Sequence, residues 1–458
     1  MKIRIRSLIA VTLSISTLAC LPSSAFAEPA QEFVLKNGMK IIVKEDHRAP
    51  TVAHMIWYKL GSMDELNGTT GVAHALEHMM FKGTKKLKPG EFSQKVAALG
   101  GRENAFTSKD YTAYFQQLEK SKLEAVVALE ADRMANLVFD KAEFAKEIKV
   151  VMEERRWRTE DQALGMVDEA LNATAFAAHP YHNPIIGWMD DLQNMTVEDA
   201  KDWHERWYAP NNATMVVSGD VNAKQVLALA EKYFGSIPAK KRPISKPQIE
   251  PLQKGIKRVT VKAPAENPYV VLGFKVPTLR DVEKDDEVHA LDVLAAVLDG
   301  YDNARLNAQL VRTDKIANSV SAGYGSMSRG PVLFMLDGTP AAGTTTEQLA
   351  QRLRAEVDRI AKEGVSEHEL QRVKTQLIAA QIYKRDSVFG QAMEIGVMEM
   401  AGISHKLIDR LIEKLKAVTA QQVQAVAQKY FGDDGLTIAT LVPLPLSEKK
   451  EPPPGIRH

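Results

Sequence analysis

The residues best suited to chemistry lie in one short run, Gly71-Val-Ala-His74-Ala-Leu-Glu77-His78-Met-Met-Phe81. Side chains four apart on a helix share a face, with Cβ atoms about 6 Å apart, so His74 and His78 can aim both imidazoles at one point. Glu77, three residues from His74, stands beside that point. Zinc suits such a pair: imidazole is a good ligand, and a hydrolytic zinc site takes three protein ligands and keeps one position for water. The adjacent carboxylate can accept a proton from that water. The order His-x-x-Glu-His inverts the commoner helical zinc motif. An amphipathic helix can carry two histidines by chance. Here Val72, Ala75, Leu76, Met79 and Met80 are apolar, and burying His, Glu and His among them is costly without pairing or a metal.

A third ligand must come from another element. The helical pattern over residues 141–158 offers Glu143, Glu147, Glu153 and Glu154. Glu147 and Glu154 are seven apart and share a face, and Glu143 and Glu147 are four apart. A one-sided acidic stripe is more often a solvated face, and spacing does not choose among these four.

The elements that must position these groups are legible in outline. Phe33-Val34-Leu35, the turn signal Asn37-Gly38, and Lys40-Ile41-Ile42-Val43 read as a hairpin, and Val52–Leu60 as a further strand. Helical spacing covers Gly71–Phe81, 91–99, 121–138 and 141–158. Strands are expected around Ala105 and from Thr112 to Gln117. Between Pro238 and Gly255 the chain turns rich in proline and charge and reads as an exposed linker, drawn at 241–255. Thr196 to Tyr208 with Ala213-Thr-Met-Val-Val, and Thr419 to Phe431 with Leu436-Thr-Ile-Ala-Thr, share one order: helix, aromatic pair, turn, strand. Their offset is constant (419 − 196 = 223 and 437 − 214 = 223). That points to a duplicated domain.

The chain has 458 residues, 45% hydrophobic and 26% charged. It is about three times a typical domain length of roughly 150 residues and has ample material for cores. Lys2, Arg4 and Arg6, the apolar stretch Ser7–Leu21 and Ala25-Phe26-Ala27 have the layout of a secretory signal at 1–27. The apolar core is too short to span a membrane. Lipid attachment at Cys20 is the lesser alternative. Removing 1–27 takes away three positive charges, and the net charge moves from +1 to −2 (1 − 3). A near-neutral chain gives no reason to invoke nucleic acid or an anionic membrane. Cys20 is the only cysteine. The mature chain therefore has neither disulfides nor thiol chemistry, and any metal must use His and carboxylate. A bacterial periplasm is the simplest compartment.

His74-Ala-Leu-Glu77-His78, Phe81-Lys-Gly-Thr, Gly100-Gly101-Arg-Glu-Asn104-Ala105-Phe-Thr107-Ser and Glu147-Ile-Lys-Val-Val-Met-Glu-Glu154 together resemble the M16 metallopeptidases, the family of pitrilysin, insulin-degrading enzyme and the mitochondrial processing peptidases. The resemblance covers most of the mature chain and is strongest over residues 33–220. It implies that Glu154, 76 residues past His78 (154 − 78), is the third ligand to one zinc per chain. It also implies that Glu77 is the general base and that Glu147 is an acidic residue assisting the site. Asn104, Ala105 and Phe106 resemble the edge strand to which the family's substrates add as an extra strand. His179-Pro180-Tyr181 and Ile186-Gly187-Trp188 match segments read as structural.

One segment departs from the family. Members often carry an Arg and a Tyr in the second half that reach over the substrate. Here Leu310-Val-Arg312-Thr-Asp-Lys-Ile316-Ala317-Asn318-Ser319-Val320 keeps Arg312 but has Asn318 in the place of Tyr, one residue early. Either a partner subunit supplies Arg and Tyr, in a heterodimer, or the chain works alone or as a homodimer with Tyr324 in that role. His54, His179, His182 and His204 read as packed or surface histidines. The expected fold is α+β: two similar domains, each a mostly antiparallel sheet with helices on one side, closing as a clamshell. The first (28–240) holds zinc, the second (256–446) closes over substrate, and a tail (447–458) follows. The expected function is zinc-dependent endopeptidase action on peptides or unfolded segments. The alternatives are a non-catalytic exported peptide-binding or scaffold subunit, and a hydrolase of non-peptide substrates.

Overall fold

The computed structural model describes residues 29–243 and 248–446. The expected signal segment with Cys20, residues 244–247 of the linker, and the tail at 447–458 lie outside the described residues.

The first half runs β1 (Gln31–Val34), β2 (Lys40–Glu45), β3 (Thr51–Tyr58), α1 (Val72–Met79), α2 (Glu91–Ala98), β4 (Arg102–Thr107), β5 (Thr112–Glu119), α3 (Leu123–Asn136) and α4 (Lys141–Arg155). A π-helical turn (Arg156–Glu160) leads into α5 (Ala163–Ala175), α6 (Met189–Asn194), α7 (Val197–Trp207), β6 (Ala213–Gly219) and α8 (Ala223–Phe234). The second half runs β7 (Lys257–Pro264), β8 (Tyr269–Val276), α9 (Asp286–Asp299), a π-helical segment (Asn307–Thr313), β9 (Ala317–Gly323), β10 (Val332–Pro340), α10 (Thr346–Glu363), α11 (Glu367–Lys384), α12 (Val388–Ala401), α13 (Ile408–Ala417), α14 (Ala420–Tyr430) and β11 (Leu436–Leu444).

The sheets have strand orders β1-β2-β6-β3-β5-β4 and β7-β11-β8-β10-β9. Without β1, the orders are the same. In each, one parallel pair (β2 with β6, β7 with β11) sits among antiparallel pairs. The two segments 223 residues apart adopt the same local structure. Thr196 caps α7 reciprocally with Asp199, and Thr419 caps α14 reciprocally with Gln422. The fold is the expected α+β arrangement of two similar units.

Helices on one side describes each half taken alone. The other side of each sheet is covered by a helix from the opposite half. On β3, Val52, Ile56 and Tyr58 join the first core, while Ala53, Met55 and Trp57 face Ala392 and Ile395 of α12. Reciprocally, Val167 and Leu171 of α5 pack on Val261, Val271 and Ala439 of the second sheet. A two-residue side-chain period places apolar groups on both faces, and a sheet apolar on both faces needs two covers. Gly396 makes the exchange possible: a Cβ there would lie 2.0 Å from the Trp57 ring.

Polar contacts also join the halves. Arg329, between β9 and β10, makes a two-pronged pair with the buried carboxylate of Asp64 at 2.6 and 2.9 Å, and its backbone N–H donates to Asp110 at 3.0 Å. The linker is less free than its composition suggests. Glu250 accepts the N–H groups of Ala177, Ala178 and His179 and pairs with Lys275. Among the described residues, no helix is long and apolar enough to cross a membrane.

Candidate metal centre

Helix α1 is fixed at its N-terminus before it carries any chemistry. The Glu65 carboxylate accepts the N–H groups of Gly71 (2.8 Å) and Ala73 (2.9 Å), satisfying two donors that every helix start leaves open. Gly71 has φ +86°, and a Cβ there would meet Ile186 O at 2.4 Å; a Cβ on Gly187, at φ +88°, would meet Thr70 O at 2.3 Å from the other side. Trp188 N–H donates to Thr70 Oγ1. The segment Ile186-Gly187-Trp188 thus packs against the start of α1 and fixes it.

His74, His78 and Glu154 each offer one ligand atom, and the three atoms lie within 4.8 Å of one another. His78 Nε2 stands 3.4 Å from Glu154 Oε2, and His74 Nε2 stands 3.7 Å from Glu154 Oε1. Zinc bonds of about 2.0–2.1 Å in a tetrahedron set neighbouring ligand atoms about 3.4 Å apart, so the donor set and spacing fit zinc. Of the four acids on or near α4, Glu154 comes to both imidazoles. Glu147 reaches the far nitrogen of His78 (Nδ1 to Oε2, 3.4 Å), and Lys82 holds its other oxygen at 2.7 Å. Glu143 pairs with Lys146, and Glu153 with Arg156. The π-helical turn after α4 brings Arg158 back to Glu154 Oε1 at 2.9 Å.

The electrostatics follow from these pairs. Burial opposes the charge on Glu154, yet the neighbouring His78 and His74 hold its pKa down to about 2. Burial alone would lower His78, but Glu147 and Glu154 override it and raise it to about 9. Glu77 is buried, which raises its pKa, with partial opposition from a hydrogen bond donated by Thr107 Oγ1 (2.5 Å).

His74 and Glu77 line a cavity of 570 Å³. Its other walls include Asn104, Ala105, Phe106 and Thr107 of β4, Arg158 and Thr159 of the π-helical turn, Asp168, Glu169 and Asn172 of α5, and residues 182–186. β4 ends its sheet and pairs only with β5 among the described residues.

Arg312 is not among the cavity's lining residues. It is exposed, and its guanidinium donates to Asp302 O (2.8 Å) and Asn303 (3.3 Å). Asn318 donates to Pro340 O, and the Tyr324 hydroxyl donates to Pro277 O. His54 bonds Gln116 at 2.8 Å, His204 stacks on Tyr208, and His179 Nδ1 accepts from Tyr181 N–H. These three are packed histidines. Lys82, Thr107 and Arg158 were missed by spacing because their partners are distant in sequence or lie across an irregular turn. Glu65 left a faint signal as an acid just ahead of a helix.

Comparison with known proteins matches residues 40–188 to the family model "Insulinase (Peptidase family M16)" and residues 194–377 to "Peptidase M16 inactive domain". The zinc protease PqqE of Helicobacter pylori is 35% identical over 373 residues, covering 80% of this chain and 82% of that one. The uncharacterized zinc protease YmxG of Bacillus subtilis is 28% identical over 408 residues, covering 88% and 96%. Among solved structures, a protease from Helicobacter pylori superposes with TM-score 0.86 at 31% identity, covering 91% of this chain and 100% of that one. The periplasmic protease PqqL of Escherichia coli superposes with TM-score 0.77 at 20% identity; 92% of this chain matches 49% of that longer one.

Proposed function

The chain belongs to the insulinase family of M16 peptidases, and from that premise we propose that it is a zinc-dependent endopeptidase acting on peptides or unfolded protein segments. The observation that carries this reading is the convergence of His74, His78 and Glu154 within 4.8 Å, beside a cavity bordered by the edge of β4. One zinc per chain would be held by those three side chains. Zinc, when bound, supplies Lewis acidity, polarising a carbonyl and making water a stronger acid. Glu147 and Lys82 fix the ring of His78 through its far nitrogen. Glu77 accepts a proton from the attacking water and passes it to the leaving amine. Residues Asn104, Ala105 and Phe106 offer an extended substrate main-chain hydrogen bonds, a mode that tolerates many side chains.

Arg312 and Tyr324 are both engaged away from the cavity. That favours a related second subunit, in a heterodimer, supplying an Arg and a Tyr over the substrate, over a homodimer that relies on Tyr324. The signal-like segment at 1–27 and the similarity to PqqL, a periplasmic protease of Escherichia coli, support a periplasmic site of action.

The test is a broad peptide library digested by the protein with and without a chelator, and by Glu77→Gln. Cleavage that stops on chelation, returns with zinc and is lost in Glu77→Gln is the expected result. Absence of cleavage by the zinc-loaded protein favours the non-catalytic peptide-binding subunit; cleavage by Glu77→Gln at the normal rate removes Glu77 as the base.

A further inference from the structure

Glu77 and the edge strand are joined by a single hydroxyl. Thr107 is the last residue of β4 and lies opposite Thr112 of β5 in the ladder. Its Oγ1 donates to Glu77 Oε2 at 2.5 Å, the one hydrogen bond described to that carboxylate among the described residues. Thr112 Oγ1 lies 3.4 Å from Thr107 Oγ1 and 3.3 Å from Leu60 O. A hydroxyl has one proton and two lone pairs. Thr107 spends its proton on Glu77, so it meets Thr112 as an acceptor. Thr112 is fully buried, and its neighbour cannot swing away without disturbing the base of the β4–β5 hairpin. Glu side chains otherwise have broad freedom at their last torsion.

We infer that Thr107 is a positioning residue for the general base: its side chain holds one oxygen of Glu77 while its backbone belongs to the strand that takes substrate. Movement of β4 then moves the base with it, so substrate backbone and proton acceptor keep one geometry. The hydroxyl engages Oε2 and leaves the second carboxylate oxygen, Oε1, for water. A serine could replace the bond; a valine fills the same space without it. This inference rests on the endopeptidase reading of the same site.

The experiment compares the zinc-loaded wild type with Thr107→Val and Thr107→Ser. Steady-state cleavage of one library-derived peptide, bound zinc per chain and crystal structures are measured for each. In Thr107→Val, kcat is expected to fall by about ten- to a hundredfold, the range that ångström-scale misplacement of a reacting group produces. KM should stay within about twofold, zinc should stay at one per chain, and the Glu77 carboxylate should leave its wild-type position. Thr107→Ser should restore both kcat and that position. Unchanged kcat in Thr107→Val overturns the inference. So does a loss shared equally by Thr107→Ser, or a loss confined to KM or to bound zinc, since each is the signature of a merely structural residue. If the wild type cleaves nothing, the endopeptidase reading fails separately. The structures still decide this point: a wild-type Glu77 found beyond hydrogen-bond reach of Thr107, or a Glu77 unmoved in Thr107→Val, overturns it.

Discussion

Glu147 Oε2 stands 3.4 Å from Nδ1 of His78, on the side of the ring turned away from Glu154, while Lys82 Nζ holds the other Glu147 oxygen at 2.7 Å. A carboxylate behind an imidazole fixes its tautomer and makes it a better ligand. Glu147→Gln should therefore weaken zinc binding by about ten- to a hundredfold while leaving the fold intact. Competition with a coloured chelator measures it; an unchanged affinity would remove Glu147 from the site.

The same pairing sets a pH dependence. His78 is raised to about 9 by Glu147 and Glu154 against the opposing effect of burial, and Glu154 is held at about 2. A histidine must be neutral to bind a metal. At pH 7 the metal-free protein carries the His78 proton, and zinc binding should release about one proton. Apparent affinity should rise by about tenfold per pH unit up to about 9 and then level off. In the metal-free protein the raised pKa contributes stability that is fully present below 6.5 and is lost as pH rises through about 9. Calorimetry in two buffers of different ionisation enthalpy counts the proton; a count of zero contradicts the pairing.

The exchange of α5 and α12 between the halves makes Gly396 a sensitive position. A methyl group added there meets the Trp57 ring at 2.0 Å. Gly396→Ala should destabilise the protein by about 1–3 kcal/mol, as overpacking does, with zinc still bound at one per chain. Denaturant unfolding of the zinc-loaded variant checks this, and a neutral effect would mean that the two surfaces are not in contact.

Arg329 ties the second half to two turns of the first, through Asp110 after β4 and Asp64 after β3. Its partner Asp64 has a side chain only 1% exposed. Removing one member of such a buried pair leaves an uncompensated charge and typically costs about 3–5 kcal/mol. Arg329→Met should show that loss, and Arg329→Met with Asp64→Leu should recover a large part of it. Failure of the second change to recover any stability would contradict direct pairing.

Much of this was legible in the chain. The run His74 to His78 could be read because helical spacing is local, and β3 could be read because its apolar residues are continuous. The duplication showed in the two threonine-capped helices beginning at Val197 and Ala420. Choosing Glu154 over Glu143, Glu147 and Glu153 needed family resemblance, since the register of α4 against α1 is a tertiary property. The covering of Trp57 by α12 was out of reach: a strand with two apolar faces announces that it needs two covers, not which helix will come from over three hundred residues away. Thr107 and Arg158 were unread for a related reason. A hydroxyl on an ordinary strand and a cation on a charged helix look like surface until folding places a carboxylate beside each.

The assignment stands or falls on where zinc goes. A crystal structure of the zinc-loaded protein, with anomalous data at the zinc edge, should show one ion about 2.0–2.2 Å from Nε2 of His74, Nε2 of His78 and an oxygen of Glu154, with a fourth position facing the cavity. An ion bound elsewhere, or a site from which Glu154 is missing, would contradict it.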